Sequence, residues 1–180
     1  MEIYPNQYYH LYNRSINNEL LFKSTENYIY FLKKYRHHLE QLMDTYAYCL
    51  MPTHFHFLIF VKSDDIFQIQ KNIGILLSSY CKAINKKYNR HGSIFQRHSK
   101  AKLIPEEFYL LAVISYIHQN PLHSNLVNNI EDWEYSSYPD YIGKRGGTLP
   151  NKELLKKHFA SVEEFIEFSK KQTDLPDYLV

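Results

Sequence analysis

The chain has 180 residues, 44% of them hydrophobic, which suits one compact domain with its own core and a modest extension. A formal net charge of +2 is too small to establish a nucleic-acid partner, so any basic surface must come from local clustering. Cys49 and Cys81 form no disulfide framework, no apolar run approaches the roughly 18–20 residues that span a bilayer, and "MEIYPNQYYH" lacks the order of a secretory signal. The expectation is a soluble, unprocessed protein of the reducing cytoplasm with no membrane partner.

The stretch "YYHLYNR" (8–14) alternates and is rich in Tyr, as a half-buried strand is. From Ser24 and Thr25, which suit a helix N-cap, Tyr28, Leu32, Tyr35, Leu39 and Leu42 recur at helical spacing, with Lys33, Lys34, Arg36 and Glu40 between them. "TYAYCLM" (45–51) and "HFHFLIFV" (54–61) read as two strands joined by a tight turn at Pro52 and Thr53. The second is apolar on both alternating faces and is expected in the middle of a sheet, covered on both sides. Ile66, Ile69, Ile73, Leu76, Leu77, Tyr80 and Ile84 mark a second helix, which Gly92 is expected to break. "SKAKLI" (99–104) is a short strand, and Pro105, Glu106 and Glu107 open a third helix, "EEFYLLAVISYIHQN", followed by Pro121. The first six elements give β-α-β-β-α-β, the ferredoxin-like order: an α+β fold with an antiparallel sheet and two helices on one face. The third helix is left to cover or border the other. Beyond about residue 130 come "DWEYSSYPDY", a Gly-rich break at "GKRGGT" and a final helix around "SVEEFIEFSKK". The expected organisation is a domain over 1–130 with a C-terminal extension, 131–180, packed on it.

Three constellations bear on chemistry. Residues two apart on a strand share a face, so His54 and His56 present two imidazoles side by side while Phe55, Phe57, Ile59 and Val61 enter a core. The pair suits one divalent metal, and it equally suits two hydrogen-bonded structural histidines. On the third helix, at about 100° per residue, Leu110, Ile114 and Ile117 share one face and Tyr109, Tyr116 and Asn120 a neighbouring flank. Spacing alone leaves Tyr116 open between packing and a reactive role. From Lys82 to Lys102 there are seven Lys or Arg (Lys82, Lys86, Lys87, Arg90, Arg97, Lys100, Lys102) and no acidic residue, with Tyr88 and Phe95 interleaved. Such a segment is either a solvated helix end or a surface for single-stranded nucleic acid, where cations meet phosphates and rings stack on bases.

Together, "YHLYNRSINNELLF", "YCLMPTHFHFLI", "GSIFQRHSKAKLI", "YLLAVISYIHQNPLHSNLV" and "WEYSSYPDY" resemble, in order and spacing, the REP-associated tyrosine transposases, a branch of the HUH single-tyrosine transposases. The likeness runs from about residue 8 to 141. It implies a catalytic domain over 1–130 that cleaves and rejoins single-stranded DNA through a 5′-phosphotyrosine at hairpin sequences. The histidine pair falls on His54 and His56, the nucleophile on Tyr116 and the third metal ligand on Asn120, with Mg²⁺ or Mn²⁺ as the cofactor. Arg14, Arg97 and Lys100 are the preferred DNA contacts, with Lys82, Lys86 and Lys102 beside them. For Arg14 the competing reading is a structural salt bridge. Thr53, Ser15, His123 and Asn125 depart from the family's usual residues, and of these Ser15 and His123 bear on DNA specificity. The implied partner is single-stranded or hairpin DNA, the implied location the cytoplasm at the nucleoid, and the assembly a monomer or homodimer with monomer preferred. Two other classes compete: a catalytically silent or domesticated DNA-binding protein, and a metal-dependent nuclease that uses water.

Overall fold

The structure is a computed structural model that describes residues 1–171 and Leu175. The end of the expected extension, residues 172–174 and 176–180, lies outside the described residues. Four strands, β1 (Tyr8–Arg14), β2 (Met43–Met51), β3 (His54–Val61) and β4 (Lys100–Ile104), form one antiparallel sheet in the order β2-β3-β1-β4. Helices α1 (Thr25–Leu39) and α2 (Ile66–Tyr88) complete the ferredoxin-like order, and α3 (Phe108–His123) follows. This is the expected α+β fold, with β3 inside the sheet.

The two faces of the sheet bury different cores. Tyr9, Leu11, Phe55, Phe57, Ile59 and Val61 pack on Phe31, Tyr35 and Leu39 of α1 and Ile69, Ile73 and Tyr80 of α2. Each of these strand residues is at an odd position of β1 or β3, as a period of two requires. On the opposite face Ala47, Cys49, Met51 and Leu58 meet Leu110, Val113, Ile114 and Ile117 of α3. The register of β2 shifts between Thr45 and Ala47, so that Thr45 faces Tyr35 while Tyr46 and Ala47 both join the α3 side.

Several element ends differ from the sequence reading. Helix α1 closes at Leu39, and Leu42 instead sits in the connection, where its carbonyl accepts from Lys62 and Ser63. Helix α2 stops at Tyr88 because Asn89 takes the left-handed conformation (φ 46°), before Gly92 is reached. Helix α3 passes through Pro121 to His123, and Asn125 (φ 54°) turns the chain away. A proline there removes one backbone donor, a small loss in a helix with only two residues left to run.

The segment after α3 is stitched to the outer edge of β2. Leu50 N–H donates to Tyr135 O, Ser137 N–H to Tyr48 O, and Trp133 Nε1–H to Leu50 O. These bonds satisfy an edge that would otherwise be open to another chain. Three short helices follow: α4 (Tyr138–Tyr141), α5 (Glu153–His158) and α6 (Val162–Lys170). Leu154 and Phe165 of the last two join the α3 core. Gln119 on α3 donates to the carbonyls of Ser169 and Lys171, which anchors the end of α6. Among the described residues no helix is long and apolar enough to cross a membrane.

Candidate active site

The α3 face of the sheet is divided. Its β2 half is apolar and lies under α3, whereas β1, the start of β3 and β4 place polar side chains on the remainder. Register fixes the layout: Arg14 pairs with His54, Tyr12 with both His56 and Lys100, and His10 with Lys102. Direct partners share a face, so these residues form three rows of side chains on one surface. All of them but His10 border a cavity of about 380 Å³, lined by Tyr12, Arg14, His54, His56, Lys100 and Lys102 together with Asn13, Gln96, His98 and Tyr116.

The loop from Ile94 to Ser99 closes one side. Ser15 bridges Phe95, Gln96 N–H donates to Arg14 O, and Asn13 Nδ2–H donates to Gln96 O and to Ser99 Oγ. Gln96 and His98 are thereby held at the rim beside the end of β1.

Tyr116 reaches over the histidines from α3. Its ring lies edge-on to His56, 6.1 Å between centres at 85°, and to His10, 6.0 Å at 78°. The two motif imidazoles are perpendicular, 5.0 Å between centres. Both are held neutral: burial and then Arg14 press His54 down to about 4. Burial, reinforced by His10, His54 and Arg14, puts His56 well below the ordinary histidine range. Neutral imidazoles are the form that offers a lone pair to a metal. The Tyr116 phenol is held above its usual range, first by burial, with the Asn120 side chain opposing.

The rim is cationic. Among the described residues no acidic side chain lines the cavity and no carboxylate forms an ion pair with Arg14. The salt-bridge reading of Arg14 therefore finds no support, and its charge faces the opening. The ammonium groups of Lys100 and Lys102 lie 5.8 and 5.9 Å from the centre of the Tyr12 ring.

Other sequence-picked residues lie elsewhere. Asn120 is buried, with its Nδ2–H donated to the Tyr116 carbonyl at 2.8 Å, and it does not line the cavity. Lys82 and Arg97 border a neighbouring groove between α2 and the 92–97 segment that shares Gln96 with the first. Lys86 is exposed on α2 and lines neither space. The sequence reading passed over His10, Tyr12, Asn13, Gln96 and His98. A signal existed for two of them, since the alternation that places Arg14 on this face also places Tyr12 and His10 there.

Fold and site together define an α+β protein whose sheet carries a histidine pair beneath a helix-borne tyrosine, within a basic rim. No family model matches the chain. A curated protein of Haemophilus influenzae, described as a "Putative REP-associated tyrosine transposase", is 31% identical over 104 residues, which cover 53% of this chain and 58% of that protein. The chain thus spans little more than half the length of the relative it matches. A solved structure of a REP-associated tyrosine transposase bound to a REP hairpin is similar with a TM-score of 0.63 and 16% identity, over 81% of this chain and 85% of that one. That likeness is one of fold.

Proposed function

We propose that the protein is a metal-dependent, single-stranded DNA transposase that cleaves and rejoins strands through Tyr116 at hairpin sequences. The observation that carries this reading is the placement of Tyr116 edge-on to neutral His56, in a cavity that neutral His54 also lines and that Arg14, His98, Lys100 and Lys102 rim. The names of the Haemophilus relative and of the hairpin-bound structure support the same substrate class.

The donor set suits a hard divalent ion only with help. Among the described residues no group of three or more His, Cys, Asp or Glu is placed to hold a metal. His54 and His56 would supply two nitrogens, with phosphate and water filling most of the rest; Asn120, one turn beyond Tyr116, would join them only by turning its buried amide oxygen into a cavity it does not line. Bound there, Mg²⁺ or Mn²⁺ supplies Lewis-acid polarisation of a phosphoryl oxygen and offsets the charge that builds at phosphorus. Without DNA the affinity for metal is expected to be weak.

The chain's own groups do the remainder. Arg14, Lys100 and Lys102 hold the backbone phosphates, and Tyr12 offers a ring face beside them. Tyr116 Oη attacks phosphorus in line; as that bond forms, the bond to the 3′ oxygen breaks. The phenol gives up one proton and the departing 3′ oxygen takes one. The products are a 5′-phosphotyrosine and a free 3′-OH. Since one phosphoester replaces another, attack by a second 3′-OH reverses the step and joins strands without ATP.

The test is a denaturing gel of the protein with Mn²⁺ and labelled single-stranded oligonucleotides tiling the DNA beside its own gene. A protein-linked band with wild type, absent with Tyr116→Phe, is expected. Cleavage by both proteins without that band would make it a hydrolytic nuclease. Tight binding without cleavage would make it a DNA-binding protein only.

A further inference from the structure

The metal reading above leaves one histidine of this sheet face unassigned. His10 sits mid-strand in β1 with no exposed surface, on the same sheet face as His54 and His56 and one row beyond the direct partner of His56. The neighbouring position on β3 in that row, Leu58, is apolar and buried. A hydrophobic residue would therefore suit position 10, and an imidazole there needs a partner. It has one: His10 Nε2 and His56 Nδ1 are 2.8 Å apart. With 5.0 Å between ring centres at an interplanar angle of 25°, the two rings meet edge to edge along that N···N line.

One of these two nitrogens carries the proton. If His10 donates, His56 Nδ1 accepts, so neutral His56 bears its own proton on Nε2 and has no lone pair for the cavity. If His56 donates from Nδ1, its Nε2 is left as a free donor atom. Only the second arrangement makes His56 a ligand. The other motif histidine shows the same pattern, with His54 Nδ1 3.1 Å from Thr53 Oγ1. In both imidazoles Nδ1 is engaged by the protein and Nε2 remains.

The geometry points to His10 as a positioning residue that accepts the Nδ1–H of His56, fixing the tautomer and the ring plane that present Nε2 to a divalent cation. This rests on the metal reading for its purpose, but the tautomer belongs to the metal-free protein and is measured without metal, DNA or cleavage.

The experiment is long-range ¹H–¹⁵N correlation on full-length, histidine-labelled protein near neutral pH, followed by Mn²⁺ titration with no DNA. Wild-type His56 is expected with its proton on Nδ1. His10→Leu, which keeps the bulk and removes the acceptor, is expected to move that proton towards Nε2 and weaken Mn²⁺ binding by about 10- to 100-fold. His10→Gln, whose amide oxygen accepts, should restore both. A wild-type His56 protonated on Nε2 overturns the assignment whether or not His10→Leu folds. Unchanged tautomer and Mn²⁺ affinity in a folded His10→Leu also overturn it. A wild-type protein with the Nδ1–H tautomer that binds no Mn²⁺ and cuts no DNA would instead remove the metal and cleavage reading, leaving the His10–His56 contact in place.

Discussion

Tyr12 on β1 and His56 on β3 are direct cross-strand partners whose rings lie 5.8 Å apart at 26°. On its other side Tyr12 pairs with Lys100 of β4. The sheet ladder thus sets the proposed metal ligand His56, an aromatic ring and the cation proposed to meet phosphate in one row. A slip of one residue in β1 would send Tyr12 to the opposite face and replace it with Asn13 or Leu11.

Removing the proposed nucleophile and removing the proposed ligands should produce different defects. Tyr116→Phe is expected to lower strand cleavage by at least about 10³-fold while leaving hairpin binding and Mn²⁺ affinity close to wild type. His56→Ala should abolish the cleavage dependence on Mn²⁺ as well. Single-turnover gels and filter binding, run side by side, separate the two. If Tyr116→Phe retains cleavage, a water nucleophile replaces the phenol.

Arg14 and Lys100 face the cavity without a carboxylate partner among the described residues, so their charge is free for phosphate. Arg14→Ala and Lys100→Ala are each expected to weaken single-stranded DNA binding across sequences. Each should also reduce the slope of log affinity against log salt by about one. Lys86→Ala, at an exposed position of α2 that lines neither groove, serves as the comparison and should change the slope less.

His118, on the side of α3 away from Tyr116, is fully buried against Tyr138, Tyr141 and Phe165, with Nε2 2.7 Å from Ser137 Oγ. Burial presses its pKa down to about 3 from 6.5. A depressed pKa means that the unfolded chain takes the proton first as pH falls. The stabilising contribution is present above about 6.5 and drains away between there and about 3, at roughly 1.4 kcal/mol per pH unit. Urea midpoints measured across that window should fall less steeply for His118→Gln than for wild type. Equal slopes would mean that His118 is already charged in the folded protein.

Gly147 is fixed by a close approach. A Cβ there would lie 2.5 Å from Asp140 Oδ1, an atom that accepts the Gly147 N–H at 2.8 Å. Asp140, almost wholly buried, also receives Arg145 through Nε and Nη2, and Arg145 reaches on to Ser136 O and Tyr48 Oη. Gly147→Ala is expected to cost about 2 kcal/mol by forcing the carboxylate from this cluster. A thermal melt should show a fall of about 4–8 °C. Gly146→Ala, with nothing within reach of the added carbon, should be nearly neutral.

The elements that position the site were legible because their signals are local. Alternation marked β1, the apolar run beyond the Pro52–Thr53 turn marked β3, the aliphatic repeat marked α2, and the Pro-Glu-Glu start marked the beginning of α3 within a few residues. Helix ends were less legible. Asn89 is an ordinary polar residue until its backbone turns left-handed, and that turn is selected by the chain that follows it. The interleaved cations from Lys82 to Lys102 looked like one patch in sequence, yet folding divides them. Lys100 and Lys102 line the cavity, Lys82 borders the neighbouring groove, and Arg90 turns back to Glu19 at 2.9 Å.

By itself the sequence determined the periodicities, hence the order of strands and helices, and it placed His54 beside His56, because residues two apart on a strand share a face whatever surrounds them. It could not determine which third side chain meets that pair. His10 is 46 positions from His56, and the two touch only because β1 pairs antiparallel with β3 in one particular register. The same tertiary packing set the Tyr116 ring edge-on to His56 and His10. Spacing along a helix fixes an angle about its axis; what lies opposite that angle is decided by how the helix packs on the sheet.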